Sequence, residues 1–583
     1  MNKYRFFLYI ILILLTVICV YLIYNIYENN RIYKLKNTFR DISGQIWINN
    51  PNNFTFPELS QYDDKLTRQY SPEGVSLAFQ AGGRRSYTGF IGFIRALYKI
   101  RVNGANAFES AQFVSTVSGS SWLLGTYLFA NKNIDSELLL GHYIPPQEIN
   151  MDSLKTINFN NMNSKYYLGS RLVGTDIKKY IQEGYNMGIE PEYLWNYGVD
   201  RVFLEPYGLN NKIVAINDKY ADYIYNMTGI KPITPNEKLP FWIANCGLLN
   251  VKNGKIRGTT IFQVTSMYSG IPNVICDKEQ EFGFNDINKN DCVGGFFQST
   301  HTIGAINPKI KYNYEGDMIN YKIPLYQSML FNLGSIMGTS GSSQASKFSY
   351  IAKNVIPSFN LWTPKSEDTL FVPIGDGAHC DWTGITSLLS RNVKHIISIL
   401  SCGNDIKETA TPESYGDFCG LNILNLFGLN NDNICEKQMP YLYESNANQV
   451  FQKEDWSIFA QKLLDTKSMG GPVFSRNKLY VLPNYSLGIK GGYYVDLLVI
   501  VVQSSSIYNS LLPKNITDTF SNPSGPFPNF PNYPMTDSNF EFLISLEKHQ
   551  INLLDSYVEW CVLYPTLKNT IIDMYNQHNI YNH

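Results

Sequence analysis

The chain carries no appreciable excess of charge of either sign: 48 Lys and Arg stand against 49 Asp and Glu in 583 residues, a net of −1 at pH 7. That balance leaves no electrostatic footprint for nucleic acid, so no nucleic-acid partner is expected. Histidine is scarce, with seven in the whole chain. The nine cysteines include no C-x-x-C pair and metal-ligand spacing is absent, so no metal or other cofactor is expected. No internal repeat is visible, which argues against a solenoid or propeller.

One apolar run is long. From Phe6 to Tyr27 no residue is charged, and Phe6 to Ile23 approaches the roughly 20 apolar residues that span a bilayer. Residues 1–27 are therefore expected to form a transmembrane anchor. A cleaved signal peptide fits less well, because the run exceeds an ordinary signal core and Tyr24–Glu28 lacks a small-x-small cleavage pattern. Lys3 and Arg5 precede the run while Arg31, Lys34, Lys36 and Arg40 follow it, so charge does not fix its orientation. Eight cysteines lie outside the anchor, an even number that suits disulfides as well as buried thiols. Asn53, Asn226, Asn484 and Asn515 open N-x-S/T sequons. Together these features suggest a single-pass membrane protein with a luminal or extracellular body, its side left open.

A chain of this length implies either two domains or one large core with long insertions. Residues 28–65 are polar and suit a linker or an edge segment, and 66–583 form the expected catalytic region. Val75–Phe79 and Phe113–Val117 look like buried strands, each leading into a helical pattern, Phe90–Ile100 and Trp122–Ala130. Further strand candidates are Leu239–Asn245, Leu370–Ile374, His395–Leu400 and Tyr493–Val502. Strand-turn-helix repetition argues for an α/β fold with a mainly parallel central sheet. Insertions are expected over residues 131–238, over 276–325, which reads as loop, and over 403–440, some of them serving as a cap. The stretch 511–536 reads as an ordered surface crossing or a mobile loop and Phe540–Leu563 as a final amphipathic helix.

Candidate chemistry begins at Phe113-Val-Ser-Thr-Val-Ser-Gly-Ser-Ser-Trp122, a strand that runs through a tight small-residue turn into a helix. This is the sequence form of a nucleophile elbow, with Ser118 at its tip. Gly82 and Gly83 follow the strand Val75–Phe79 and could supply oxyanion-hole amides, with Arg85 beside them as an anion ligand. Asp376, in Gly375-Asp-Gly377 at the end of a strand, would sit at the sheet edge where open α/β sheets bind ligands. It is a better base candidate than His301 or His379. Asp381 is a weaker carboxylate, and Arg84 and Arg391 are open between site and salt bridge. Gly338-Thr-Ser-Gly-Ser342 is a second Ser-Gly-Ser run, but Ser340 follows a helix rather than a strand and lacks the elbow context.

These motifs resemble those of the cytosolic phospholipase A2 and fungal phospholipase B (lysophospholipase) family, whose patatin-like catalysis uses a serine-aspartate dyad. Ala81-Gly82-Gly83-Arg84-Arg85 is similar to the family's GGG-x-R loop, Thr116-Val-Ser118-Gly-Ser120 to G-x-S-G-S, and Asp376-Gly-Ala378 to D-G/S-G. Phe262–Gly270 and Asn529–Tyr533 extend the likeness over most of residues 70–565. Ala81, Thr116 and Ala378 depart from the pattern. The resemblance implies a patatin-like acyl hydrolase with Ser118 as nucleophile, Asp376 as base, Gly82 and Gly83 as oxyanion hole and Arg85 on the substrate phosphate. It implies a phospholipid or lysophospholipid substrate and a membrane partner. The family's calcium-binding C2 domain is not seen in this chain, so calcium is not implied. The alternatives are an inactive lipid-binding or scaffold protein that keeps the fold, and an esterase using His301 or His379.

Overall fold

The short apolar strands Val75–Phe79 and Phe113–Val117 lie side by side in the middle of a 14-stranded mixed sheet, and every residue of both is buried. Burial on both faces is what a parallel strand covered by helices requires. Val75, Leu77 and Phe79 face a core shared with the helices Gly83–Lys99, Gly119–Ala130 and Lys548–Leu563, whereas Ala78 faces one shared with Ile385–Leu389 and Asp455–Ser468. The molecule is thus an α/β fold with helices on both sides of the sheet. The computed structural model describes residues 3–36, 38–49, 54–60, 66–102, 104–160, 162, 164–252, 255–275, 293–309, 317–324, 330–363, 368–429, 448–539, 541 and 543–579.

The centre of the sheet is parallel, in the order Phe241–Lys252, Phe113–Val117, Val75–Phe79, His395–Ser401, Tyr493–Val502, with Val473–Val481 antiparallel at the edge. Beyond Phe241–Lys252 the order continues through Lys255–Thr265, Tyr268–Ile275, Val293–Ser299, Phe39–Ile48, Asp317–Pro324 and Ile306–Lys309, all antiparallel. Asp368–Asp376 pairs with Phe241–Lys252 only at its end, through Ile374, Gly375 and Asp376. That pairing carries Asp376 to the same sheet edge as Ser118.

The antiparallel wing corrects two expectations. Residues 28–65 are not a linker throughout, because Phe39–Ile48 is a strand between Val293–Ser299 and Asp317–Pro324. Ile42 and Ile46 point into a core with Ile319, Tyr321 and Trp362, whereas Asp41 is exposed, Ser43 and Gln45 are half-buried and Trp47 packs on the opposite side against Tyr268, an alternation hidden by the polar average of the segment. Within 276–325, expected as loop, Val293–Ser299, Ile306–Lys309 and Asp317–Pro324 are strands. Residues 276–292 lie outside the described residues, as do 430–447.

Residues 131–238 form a mostly helical block that includes Ile177–Asn186, Leu194–Val199 and Asp218–Thr228. The helix expected as final begins at Lys548, later than Phe540, because Glu547 and Gln550 form a capping box there, and it is not the last. A further helix, Pro565–Asn579, follows. Cys419 is disulfide-bonded, whereas Cys246, Cys380, Cys402 and Cys561 are buried free thiols. Asn226 and Asn515 are exposed, but the amide of Asn484 is buried and donates to Gln449 O.

At the amino terminus a single helix runs from Lys3 to Lys36. Within its Phe7–Arg31 stretch the most apolar 18-residue window has a mean hydropathy of 2.8 and no buried share, and the stretch is long and apolar enough to cross a membrane. The sheet strand starts at Phe39, so the helix feeds almost directly into the body.

Candidate active site

Ser118 closes the Phe113–Val117 strand with φ 58° and ψ −127°, a backbone state that costs a non-glycine residue about 1–3 kcal/mol and persists only when its surroundings hold it. Those surroundings are specific. Ser120 Oγ accepts from Val117 N at 2.9 Å and sits 3.0 Å from Phe79 O, and Ser118 N donates to Ser340 Oγ at 3.2 Å. The next residue must be glycine, because a Cβ on Gly119 would lie 2.3 Å from Gly83 O. The elbow is therefore pressed against the backbone of the glycine pair.

Gly83 has φ +54°, and a Cβ there would come within 2.3 Å of Met535 O. Among the described residues no loop or cap carbonyl takes the Gly82 or Gly83 N–H. Ala81, where the family pattern has a glycine, is buried and not in the left-handed region, and its N–H donates to Trp382 O at 2.8 Å. Thr116 is also accommodated, its Oγ1 accepting from Trp242 Nε1 at 2.9 Å. Ala378 is used through its backbone, donating to Asp376 Oδ1 at 2.9 Å.

The carboxylate of Asp376 is fully buried and receives Ser118 Oγ on Oδ2 at 2.8 Å. Ser343 N also donates to Oδ2, at 3.1 Å. Burial pushes its pKa up, and the neighbouring His379 and the three donors oppose that rise. Serine and carboxylate are in direct contact, so no histidine stands between them. His301 lies in the antiparallel wing with Nε2 3.0 Å from Ser43 O, and burial pulls its pKa down to about 4.

The arginines divide clearly. Arg85 lies beside the glycine pair, but its guanidinium already binds Tyr533 O and Ser401 O, each at 2.8 Å, and its acceptors are carbonyl and hydroxyl oxygens. Its burial pulls its pKa down to about 10. Arg84 pairs with Asp537 at 3.0 Å and donates to Pro534 O, tying down the segment that follows Tyr533. Arg391 belongs to a buried network with Glu58, Gln263 and Tyr268 and lies over the Phe56 ring, so it anchors the amino-terminal segment to the core. Asp381 caps a helix through Thr383 and Thr386.

Sequence reasoning missed Ser340 and Ser343 as parts of this site. The Ser-Gly-Ser run was visible, but it stood as a rival nucleophile, and only the fold places it behind Ser118.

Similarity to known proteins comes from solved structures of a cytosolic phospholipase A2. The human GIVD enzyme matches with 10% identity over 88% of this chain and 62% of that one, at a TM-score of 0.41. The same human enzyme in complex with methyl gamma-linolenyl fluorophosphonate inhibitor and terbium chloride matches with 12% identity over 88% and 61%, at a TM-score of 0.35. The chain thus spans about three fifths of the length of those structures. No family model and no curated protein matches.

Proposed function

We propose that the chain is a membrane-anchored phospholipid acyl-ester hydrolase, of phospholipase A2, lysophospholipase or phospholipase B type, that works through a Ser118–Asp376 dyad. The observation that carries the reading is the direct 2.8 Å bond from Ser118 Oγ to Asp376 Oδ2 at a strained elbow. Ser118 Oγ attacks the ester carbonyl and gives its proton to Asp376, while the Gly82 and Gly83 N–H groups hold the oxyanion. Collapse breaks the ester bond and the leaving alcohol takes the proton. Water then attacks the acyl-serine, passing a proton to Asp376, and collapse releases the fatty acid as that proton returns to Ser118 Oγ. A carboxylate is a weak base for an alcohol, and burial that raises its pKa strengthens it. The test is fatty-acid release from phospholipid and lysophospholipid: wild type should release it and Ser118→Ala should not. Equal release by both would defeat the reading.

The raised pKa sets a pH dependence. Asp376 must be ionised to accept the proton, so activity should fall as pH drops through that pKa, at a pH above the ordinary carboxylate range near 4. A kcat/KM profile measured from pH 4 to 8 checks this, and undiminished activity down to pH 4 would contradict it.

Arg85 is proposed as the phosphate partner, through guanidinium N–H groups beyond those bound to Ser401 and Tyr533. A charge-assisted contact to phosphate is worth about 1.5–3 kcal/mol, so Arg85→Ala should slow phospholipid turnover roughly ten- to hundredfold. Hydrolysis of an uncharged nitrophenyl acyl ester should drop much less. Equal losses on both would assign Arg85 to its carbonyl ties alone.

The anchor gives a fourth expectation. Deleting residues 1–38 removes the apolar helix and spares the Phe39–Ile48 strand. The shortened chain should leave the carbonate-resistant membrane fraction and still hydrolyse dispersed lysophospholipid. Persistence in that fraction would refute the anchor.

A further inference from the structure

The turn that ends the helix Leu333–Ser340 touches both members of the dyad. Ser340 Oγ accepts from Ser118 N at 3.2 Å, and three residues on Ser343 N donates to Asp376 Oδ2 at 3.1 Å. Nothing in the proposed chemistry uses Ser340, yet its hydroxyl is fully buried and fully engaged.

The directions of its hydrogen bonds follow from the ends of the network. Asn245 O can only accept, and at 2.7 Å it takes the single proton of Ser340 Oγ. Ser340 Oγ is then an acceptor toward its other partners, Ser118 N and Ser121 Oγ, the latter 2.7 Å away. With its own proton given to Ser340, Ser121 accepts from Thr116 Oγ1 at 2.8 Å, a contact much shorter than the 3.4 Å from Thr116 Oγ1 to its other acceptor, Ile243 O. Thr116 Oγ1 in turn accepts from Trp242 Nε1, which can only donate, at 2.9 Å. The bonds therefore run one way, from the Trp242 indole through Thr116, Ser121 and Ser340 to Asn245 O. A hydroxyl has two acceptor sites, and both of those on Ser340 are filled, one by the strained Ser118 amide. Thr116, Ser121 and Ser340 have no exposed surface, so no solvent competes for these bonds.

We infer that Ser340 is a positioning residue for the nucleophile. The hydroxyl chain from Trp242 through Thr116 and Ser121 fixes its orientation, so that it accepts the Ser118 N–H, and the same turn offers Ser343 N to the base. Thr116, which departs from the family's glycine at this position, is the residue that connects the chain to Trp242. The inference rests on the Ser118–Asp376 reading of the site.

The experiment uses the full chain and a fluorophosphonate probe, with labelling rate, kcat, KM and amide exchange in the peptide 113–122 as readouts. Ser340→Ala should slow labelling and kcat roughly ten- to hundredfold, the scale of a small misplacement of reacting atoms, with KM within about twofold. It should also speed exchange in that peptide. Thr116→Val should show a smaller loss of the same kind and Thr116→Ser should restore wild-type rates. The double variant Thr116→Val/Ser340→Ala should be no slower than Ser340→Ala, because the chain reaches Ser118 only through Ser340. Additive losses, or Ser340→Ala labelling at the wild-type rate while Ser118→Ala is silent, overturn the positioning role and leave the dyad standing. If Ser118→Ala labels like wild type, the dyad reading falls, and unchanged exchange in Ser340→Ala would overturn this inference separately. Should Ser340→Ala not fold, Thr116→Val against Thr116→Ser decides, and equal rates in those two would overturn it.

Discussion

Asp376→Asn is expected to lower turnover roughly 10⁴-fold, on the scale seen when one member of a concerted catalytic group is removed. Asparagine fills the same buried space, and its oxygen can keep the bond from Ala378 N. The other terminal group becomes an NH₂ facing two donors, Ser118 Oγ and Ser343 N, and the proton acceptor is gone. Thermal unfolding should change far less than rate. His379→Ala and His301→Ala are expected to keep most activity, since neither ring lies between serine and carboxylate. A His379→Ala variant as inactive as Asp376→Asn would restore the histidine-dependent alternative.

The second large effect is at Gly119. A methyl group there would lie 2.3 Å from Gly83 O and 2.7 Å from Gly83 Cα, and both are backbone atoms with no rotamer to turn away. Gly119→Ala must push the elbow and the glycine pair apart by the better part of an ångström. Displacing an oxyanion donor costs about 10²–10³-fold, and misplacing the nucleophile adds to it, so labelling and turnover should both fall at least that far. Gly416→Ala is the matched control, because a Cβ at that position meets nothing within 4 Å. Near-normal activity in Gly119→Ala would mean that Gly83 does not serve as an oxyanion donor from its position here.

How much of this was legible in the sequence follows from where the information lies. Val75–Phe79 and Phe113–Val117 were readable because strands buried on both faces are short uncharged runs of apolar and small hydroxyl residues, here ended by small-residue turns. Phe39–Ile48 was not, because only alternate residues are buried and its partners come from residues 293–299 and 317–324, distant in the chain. Ser118 and Asp376 each ended a recognisable strand, and the fold brings their side chains to 2.8 Å. Arg85 was legible as a cation beside the glycine pair, but its ties to Ser401 and Tyr533 depend on segments several hundred residues later. Ser340 shows the same limit from the other side. Its local pattern matched a nucleophile turn, and only tertiary contact turns it into an acceptor for the real elbow.

The central claim is that Ser118 is the residue acylated in the reaction. Mass spectrometry of the fluorophosphonate-treated protein reads this directly, by the residue that carries the adduct. The account predicts a single adduct on Ser118, absent in Ser118→Ala and strongly slowed in Asp376→Asn. An adduct on Ser340, or one on Ser118 that forms as fast without the Asp376 carboxylate, would contradict it.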